Sequence, residues 1–514
     1  MGKAGKSLKP LYEGSEWTFK DVQRVYDAIA EVGYGELGLD IYTNQIEVIT
    51  AEQMLDAYAS IGLPLMYRHW SFGKRFAREE LLYRKGVQAL AYELVINSNP
   101  SVCYIMEENT MTMQALVLAH AAFGHNHFFK NNYLFQQWTD ADTVLDYMAY
   151  AKRFIADCEE RHGLDAVETV LDAAHALMRN GVSRYAPSRT QRAKDVKAKA
   201  RKRREYEEAT FNDLWRTVPG ETQKGRRKKR DAEMLDRAAL GIPEENLLLF
   251  LERYAPKLED WQRELIRIVR NTAQYFYPQR QTKVMNEGCA TFVHYEIMNR
   301  LYDKGQITEG AMLEFLHMHS AVIAQPGFEE RRFSGLNPYA LGFAMMRDIQ
   351  QICEKPTAED KEWFPEIAGT ADPLETLRSA WSDFRDESFI LQYLSPRLIR
   401  NLRMFSISDD TDDPFMFVTA IHKEDGYIAI RDKLARQYDL AHQDPDIQVT
   451  DANLKGNRRL VLTHRARDGQ LLEKEECNRT LRHVAQLWGY RVRLIEVDAE
   501  TDRSLNEYDA LPMP

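Results

Sequence analysis

The chain has 514 residues, 44% of them hydrophobic and 28% charged, with 78 acidic against 68 basic side chains and a net charge of -10. Such a length suits one large domain with an appendage or a few smaller domains, and the composition excludes a wholly disordered or fibrous chain. No apolar run reaches the roughly eighteen residues of a membrane helix, and the opening MGKAGKSLKPLYEGSEW lacks a signal peptide's apolar stretch, so the expected location is the cytoplasm.

From residue 17 to about 185, apolar residues recur at threes and fours. This spacing predicts helices over 17–34, 51–62, 78–97 (REELLYRKGVQALAYELVIN), 111–123 (MTMQALVLAHAAF) and 140–163, with scarce strand signals. Basic residues then crowd into RTQRAKDVKAKARKRR and KGRRKKR, and 188–231 reads as a solvated insertion or long exposed helix. Few aromatics stand among these cations for stacking on bases, so nucleic acid is not the expected partner.

Helical periodicity resumes from PEENLLLFLERYAPKLEDW through NEGCATFVHYEIMNRLYDKG, TEGAMLEFLHMHSAVIAQ, NPYALGFAMMRDIQQICEK and DPLETLRSAWSDF. Asn286, Thr308 and Asp372 are the expected N-caps and Gly305 a stop. After about 404 the texture turns short and β-branched in PFMFVTAIH, GYIAI, DIQVTDANL, RRLVLTHRA and YRVRLIEVD, with helices over RDKLARQYDL and LLEKEECNRTLRHVAQLWG between them. The expected fold class is mainly α: a large helical N-terminal domain over 1–403 followed by a small α+β C-terminal domain over 404–514.

The five cysteines form no CxxC pair and are odd in number, which points away from disulfides and thiolate zinc sites. Metal chemistry would have to come from imidazole and carboxylate. In HAAFGHNHFF, His120 shares a helix face with Met113, Leu116 and Val117 and so points toward a core. His125 lies about 140° round an ideal helix from His120, and His127 two turns away, so no straight α-helix aims all three at one ion. A left-handed C-cap at Gly124 would redirect His125. In NEGCATFVHYEIM, Glu287, Thr291 and His294 interrupt a stripe that continues through Ile297, Met298 and Leu301. A carboxylate on such a stripe asks for a cation, and a divalent metal, zinc first, held by His120, His125 and Glu287 with water in the fourth position would supply it. The bland alternatives are histidines capping a helix C-terminus and an acid favoured in a first helical turn. Glu314 with His317, Asp172 with His175 and the lone His69 read as solvated polar faces, and the acids of MEEN, Glu107 and Glu108, precede a helix for which Asn109 is the expected N-cap.

The blocks MEENTMTMQ, HAAFGHNHFFKNNYLF, NEGCATFVHYEIM, FILQYLSPRLIRNLRMFSI and AIHKEDGYIAIR, in this order along nearly the whole chain, resemble the SpoVR family of stage V sporulation R-like proteins. The resemblance implies a role in the peptidoglycan cortex of spores, or in stationary-phase and stress responses of bacteria that do not sporulate, beside a PrkA-type serine protein kinase and a YeaH-type protein as partners. It implies no reaction. A looser similarity links NEGCA to the NExxA-like context of gluzincin peptidases, but Ala121 and Gly124 stand where HExxH needs its glutamate and second histidine, so a general base would come from Glu107, Glu108 or His294. Two functions follow as expectations: a metal-dependent hydrolase acting on a cell-wall precursor or related small substrate, or a non-catalytic scaffold working through the kinase and its companion.

Overall fold

The computed structural model describes residues 9–59, 93–184 and 240–512, apart from 329, 331–332, 334, 371, 409–416 and 421, together with scattered positions between 67 and 81. The basic insertion expected over 188–231 lies outside the described residues. Two compact units form, neither continuous in sequence: Met1–Phe154 with Tyr277–Leu440, and Ile155–Phe276 with Ala441–Pro514. Residues 404–440, assigned from sequence to the C-terminal domain, belong in space to the first unit.

The first unit opens with α1 (Phe19–Gly35), whose N-terminus is closed by a reciprocal capping box between Thr18 and Asp21 and which buries Val25, Ile29 and Val32. Three strands follow, β1 (Asn44–Ile49), β2 (Glu93–Ile96) and β3 (Ser101–Met106), ordered β1-β3-β2, with β1 parallel and β2 antiparallel to β3. Helix was expected at β2. The apolar run ALAYELVIN fits either structure by periodicity, and pairing of its Leu94 and Ile96 with Tyr104 and Val102 decides for strand.

Next comes one uninterrupted helical rod: α2 (Met111–Val117), a π-helical segment (Leu118–His125) and α3 (Asn126–Asn131). Thr110, not Asn109, caps it, its hydroxyl accepting from the Met113 N–H. Gly124 is absent from the left-handed residues, so the redirection expected there does not occur; the π turn does that work instead. Helix α4 (Lys283–Asp303) packs along this segment and is buried nearly all round, through Val284, Cys289, Phe292, Val293, Ile297 and Leu301. Helices α5 (Glu309–Val322) and α6 (Pro338–Glu354) flank it. Asn286 is not the N-cap expected of it: α4 begins three residues earlier, and the buried Asp386 carboxylate accepts its Val284 and Met285 N–H groups at 2.8 and 2.9 Å. Thr308 and Asp372 do cap helices, and Gly305 is left-handed as expected.

Two glycine contacts set the spacing around α4. A β-carbon on Gly124 would fall 2.5 Å from the Ala290 Cα, and one on Gly342 would fall 2.7 Å from the Gly288 Cα, so backbone meets backbone at both crossings. The short pair β4 (Ser406–Ser408) and β5 (Phe417–Ala420) and α7 (Glu424–Tyr438) complete this unit. GYIAI, expected as strand, lies in α7, where Tyr427 and Ile430 are buried and Ile428 faces out.

In the second unit, β6 (Ile447–Ala452), β7 (Leu460–Ala466), β8 (Val492–Asp498) and β9 (Ser504–Ala510) make one sheet in that order. The β7–β8 pair is parallel and joined through α8 (Lys474–Trp488), as parallel neighbours require a crossover. The polar β9, SLNEYDA, had no strand signal; it pairs antiparallel at the edge beside β8. Among the described residues no helix is long and apolar enough to cross a membrane.

Candidate metal centre

The π segment solves the geometric problem of HAAFGH. In α-helical geometry residues five apart diverge, whereas the i→i+5 repeat of a π turn stacks them, and such turns are rare and concentrate at functional sites. His120 and His125 accordingly lie edge to face with ring centroids 4.7 Å apart, both buried. Facing them, α4 projects Glu287, whose Oε2 stands 3.5 Å from His125 Nε2 and 3.8 Å from His120 Nε2. From the sheet, β2 turns Glu93 to the side on which its neighbours Cys103 and Ile105 are buried, and its Oε1 stands 3.6 Å from His120 Nε2.

None of these contacts is short enough to be a hydrogen bond. His120 Nε2 and Glu287 Oε2 are both buried with no hydrogen-bond partner, a costly condition for an imidazole nitrogen and a carboxylate oxygen. Two donors on one tetrahedral zinc at bond lengths near 2.0–2.1 Å stand roughly 3.3–3.5 Å apart. Donor atoms of Glu93, His120 and His125 all fall within 4.8 Å of one another, so a cation could be held there.

The surroundings fix each donor. His125 Nδ1 donates to Asn286 Oδ1 at 2.9 Å, which leaves the Nε2 lone pair facing Glu287. Tyr339 on α6 reaches Glu287 and stacks near His120 at 6.3 Å, an approach the glycine crossing of α4 and α6 permits. His120 Nδ1 lies 2.9 Å from His294 Nδ1, and His294 Nε2 lies 2.8 Å from His319 Nδ1 on α5.

Burial pushes His125 down to about 4 and holds His294 well below the usual imidazole range, so both rings are neutral near pH 7 with lone pairs available. His120 also suffers burial, but the Glu93 and Glu287 carboxylates outweigh it and raise the ring. Burial raises Glu93; on Glu287 it is overcome by the His120 and His125 imidazoles and the Tyr339 hydroxyl, which hold that carboxyl below its ordinary range.

Of the residues singled out in sequence, His120, His125, Glu287 and His294 converge here. Glu107 and Glu108 do not: both stand exposed on the turn after β3, where Glu108 Oε1 accepts the Ala51 N–H at 3.2 Å. His127 serves structure, its Nδ1 accepting the Asp40 N–H at 3.0 Å. Glu314 accepts from the Thr110 hydroxyl at 2.6 Å and His317 is exposed, so that pair makes no second site. Thr291 is buried one turn beyond Glu287 without a hydrogen-bond partner for its hydroxyl. Sequence reasoning missed Glu93, Tyr339 and His319. Glu93 did carry a signal, a lone acid inside the apolar run ALAYELVIN, hidden by the helical reading of that run.

The family profile described as "SpoVR like protein" matches residues 16–443, and that described as "SpoVR-like C-terminal domain" matches 445–499. The chain belongs to the SpoVR family. Glu93, His120, His125, Glu287 and the His294–His319 pair all fall within the first of the two SpoVR matches. A family relative, described as "Uncharacterized protein YcgB" of Escherichia coli strain K12, is 51% identical over 489 residues, spanning 95% of this chain and 94% of the relative. No solved structure matches.

Proposed function

We propose that this SpoVR protein is a metal-dependent hydrolase in which His120, His125 and Glu287 hold one divalent ion, zinc first, and Glu93 acts as general base. The observation that carries the reading is the pair of buried, unpartnered atoms His120 Nε2 and Glu287 Oε2, 3.8 Å apart with His125 Nε2 beside them. A bound zinc ion would activate water and polarise a carbonyl or phosphoryl oxygen. Glu93 stands on the edge strand of its sheet and keeps 20% of its side-chain surface open, where it can take a proton from a water entering the centre. Tyr339 steadies the Glu287 carboxylate, and Asn286 keeps His125 in the tautomer that ligates. All five cysteines are buried free thiols and none belongs to this donor group, which favours zinc, manganese or iron over softer ions.

The substrate class that suits this reading is a cytoplasmic cell-wall precursor or related small molecule, within a stress, stationary-phase or spore-cortex role beside a PrkA-type kinase and a YeaH-type protein. Loading the purified chain with zinc and assaying amide, ester and phosphoester bonds of peptidoglycan precursors tests it. Turnover that disappears in Glu93→Gln but survives in Glu107→Gln supports the assignment; absence of turnover on every class, with the kinase partner co-purifying, turns the reading to a scaffold.

A further inference from the structure

His120 shows its two nitrogens to different neighbours. Nε2 faces Glu93 and Glu287 at 3.6 and 3.8 Å, while Nδ1 faces His294 Nδ1 at 2.9 Å. His294 passes the contact on, its Nε2 lying 2.8 Å from His319 Nδ1. All three rings are buried, at 3%, 0% and 4% exposure, so water does not compete for these bonds. At such separations each contact holds a proton between two nitrogens, one donating and the other accepting.

Three neutral imidazoles in a row have two self-consistent arrangements. In one, His120 Nδ1–H donates to His294 Nδ1, His294 Nε2–H donates to His319 Nδ1, and His120 Nε2 carries a bare lone pair. In the other every proton is shifted one place, His319 Nδ1–H donates to His294, His294 Nδ1–H donates to His120, and His120 Nε2 bears hydrogen. Any mixture sets two N–H groups or two lone pairs against each other. A metal ligand must offer a lone pair, so only the first arrangement suits a cation between the carboxylates and His120.

We propose that His294 and His319 are positioning residues of the centre: the hydrogen-bonded row from His120 to His319 selects the His120 tautomer whose Nε2 ligates. This rests on the metal reading given above. His125 uses the commoner device, a side-chain carbonyl as acceptor for its remote N–H, whereas His120 must rely on another ring whose own proton has to be pointed away. That second task falls to His319, held by the rings of Tyr295, Phe315 and Phe343 at 5.0, 5.7 and 4.9 Å. His294 therefore orients a ligand rather than accepting a proton from substrate.

Titration of Co²⁺ into metal-free full-length protein, followed by its visible absorption, tests the inference with two variants of similar size. His319→Gln keeps an oxygen to accept the His294 Nε2–H; His319→Leu keeps none. We expect the leucine variant to lose about 10–100-fold in Co²⁺ affinity, the usual cost of removing an outer hydrogen-bond partner of a ligand, and the glutamine variant to lie close to wild type. Equal affinity in all three proteins overturns the positioning role and leaves the metal reading standing. Failure of the wild type to bind Co²⁺ removes both. Nitrogen-15 shifts of the zinc-loaded wild type decide independently of any variant's folding: His294 protonated on Nε2 is the expected state, and protonation on Nδ1 overturns the proposal.

Discussion

Gly124 runs so close to Ala290 that a β-carbon on it would lie 2.5 Å from the Ala290 Cα and 2.9 Å from its Cβ. The contact locks the π segment against α4 one turn beyond Glu287, and so sets the gap across which His125 and Glu287 meet. Gly124→Ala should cost at least about 1–3 kcal/mol, the usual penalty of overpacking, because backbone rather than a flexible side chain must yield. Thermal unfolding measures the loss, and metal content should fall with it. A variant with unchanged melting and full metal would mean that this crossing does not position the site.

Asn286 offers a second perturbation, since its Oδ1 accepts the His125 Nδ1–H within the centre. Asn286→Ala should weaken zinc binding about 10–100-fold and, by leaving the buried His125 Nδ1–H without an acceptor, cost about 1–3 kcal/mol of metal-free stability, and Asn286→Asp, which keeps an acceptor, should restore most of both. Competition against a chelator of known affinity reads the binding, and unfolding of the metal-free proteins reads the stability.

The two carboxylates are assigned different tasks, and exchange for the amide separates them. Glu287→Gln should abolish stoichiometric metal, whereas Glu93→Gln should keep it while turnover is lost. Loss of metal from Glu93→Gln would make Glu93 a fourth ligand and close the position that a hydrolytic zinc site leaves open.

Helical periodicity placed α1, α2, α4 and α6 close to where they lie, and the apolar stripe through Glu287, Thr291 and His294 marked the buried face of α4. What periodicity could not register was a change of helical period. One π turn alters which residues share a face without altering composition, so His120 and His125 read as divergent although they touch. Glu93 was lost for a related reason: a short apolar run is equally good as strand or helix, and only pairing with β3 sends its acid into the core. GYIAI failed in the opposite direction: only its Tyr427 and Ile430 reach the buried face of α7, while Ile428 stays exposed.

Acid should destabilise the second unit through Glu496. Its carboxylate is buried in β8 and bonded to His464 Nδ1, the Leu472 N–H and Asn506. Burial raises this carboxyl, but the three donors outweigh it and hold it below the usual range. A folded-state pKa below the unfolded one gives stability that is complete above the ordinary carboxylate range and is lost as pH falls through the depressed value. Glu496→Gln should therefore flatten the acid limb of the stability curve below that range, measured by denaturant unfolding at successive pH values. A variant with the same acid limb as wild type would exclude Glu496 as its source.

Elemental analysis of the purified full-length chain, alongside Glu287→Ala, bears most directly on the centre proposed at His120, His125 and Glu287. The proposed centre predicts about one zinc, manganese or iron ion per chain in the wild type and none in the variant, with a lowered melting temperature on its loss. A wild type without stoichiometric metal even after reconstitution, and a Glu287→Ala protein that melts with it, would contradict a metal centre at this site.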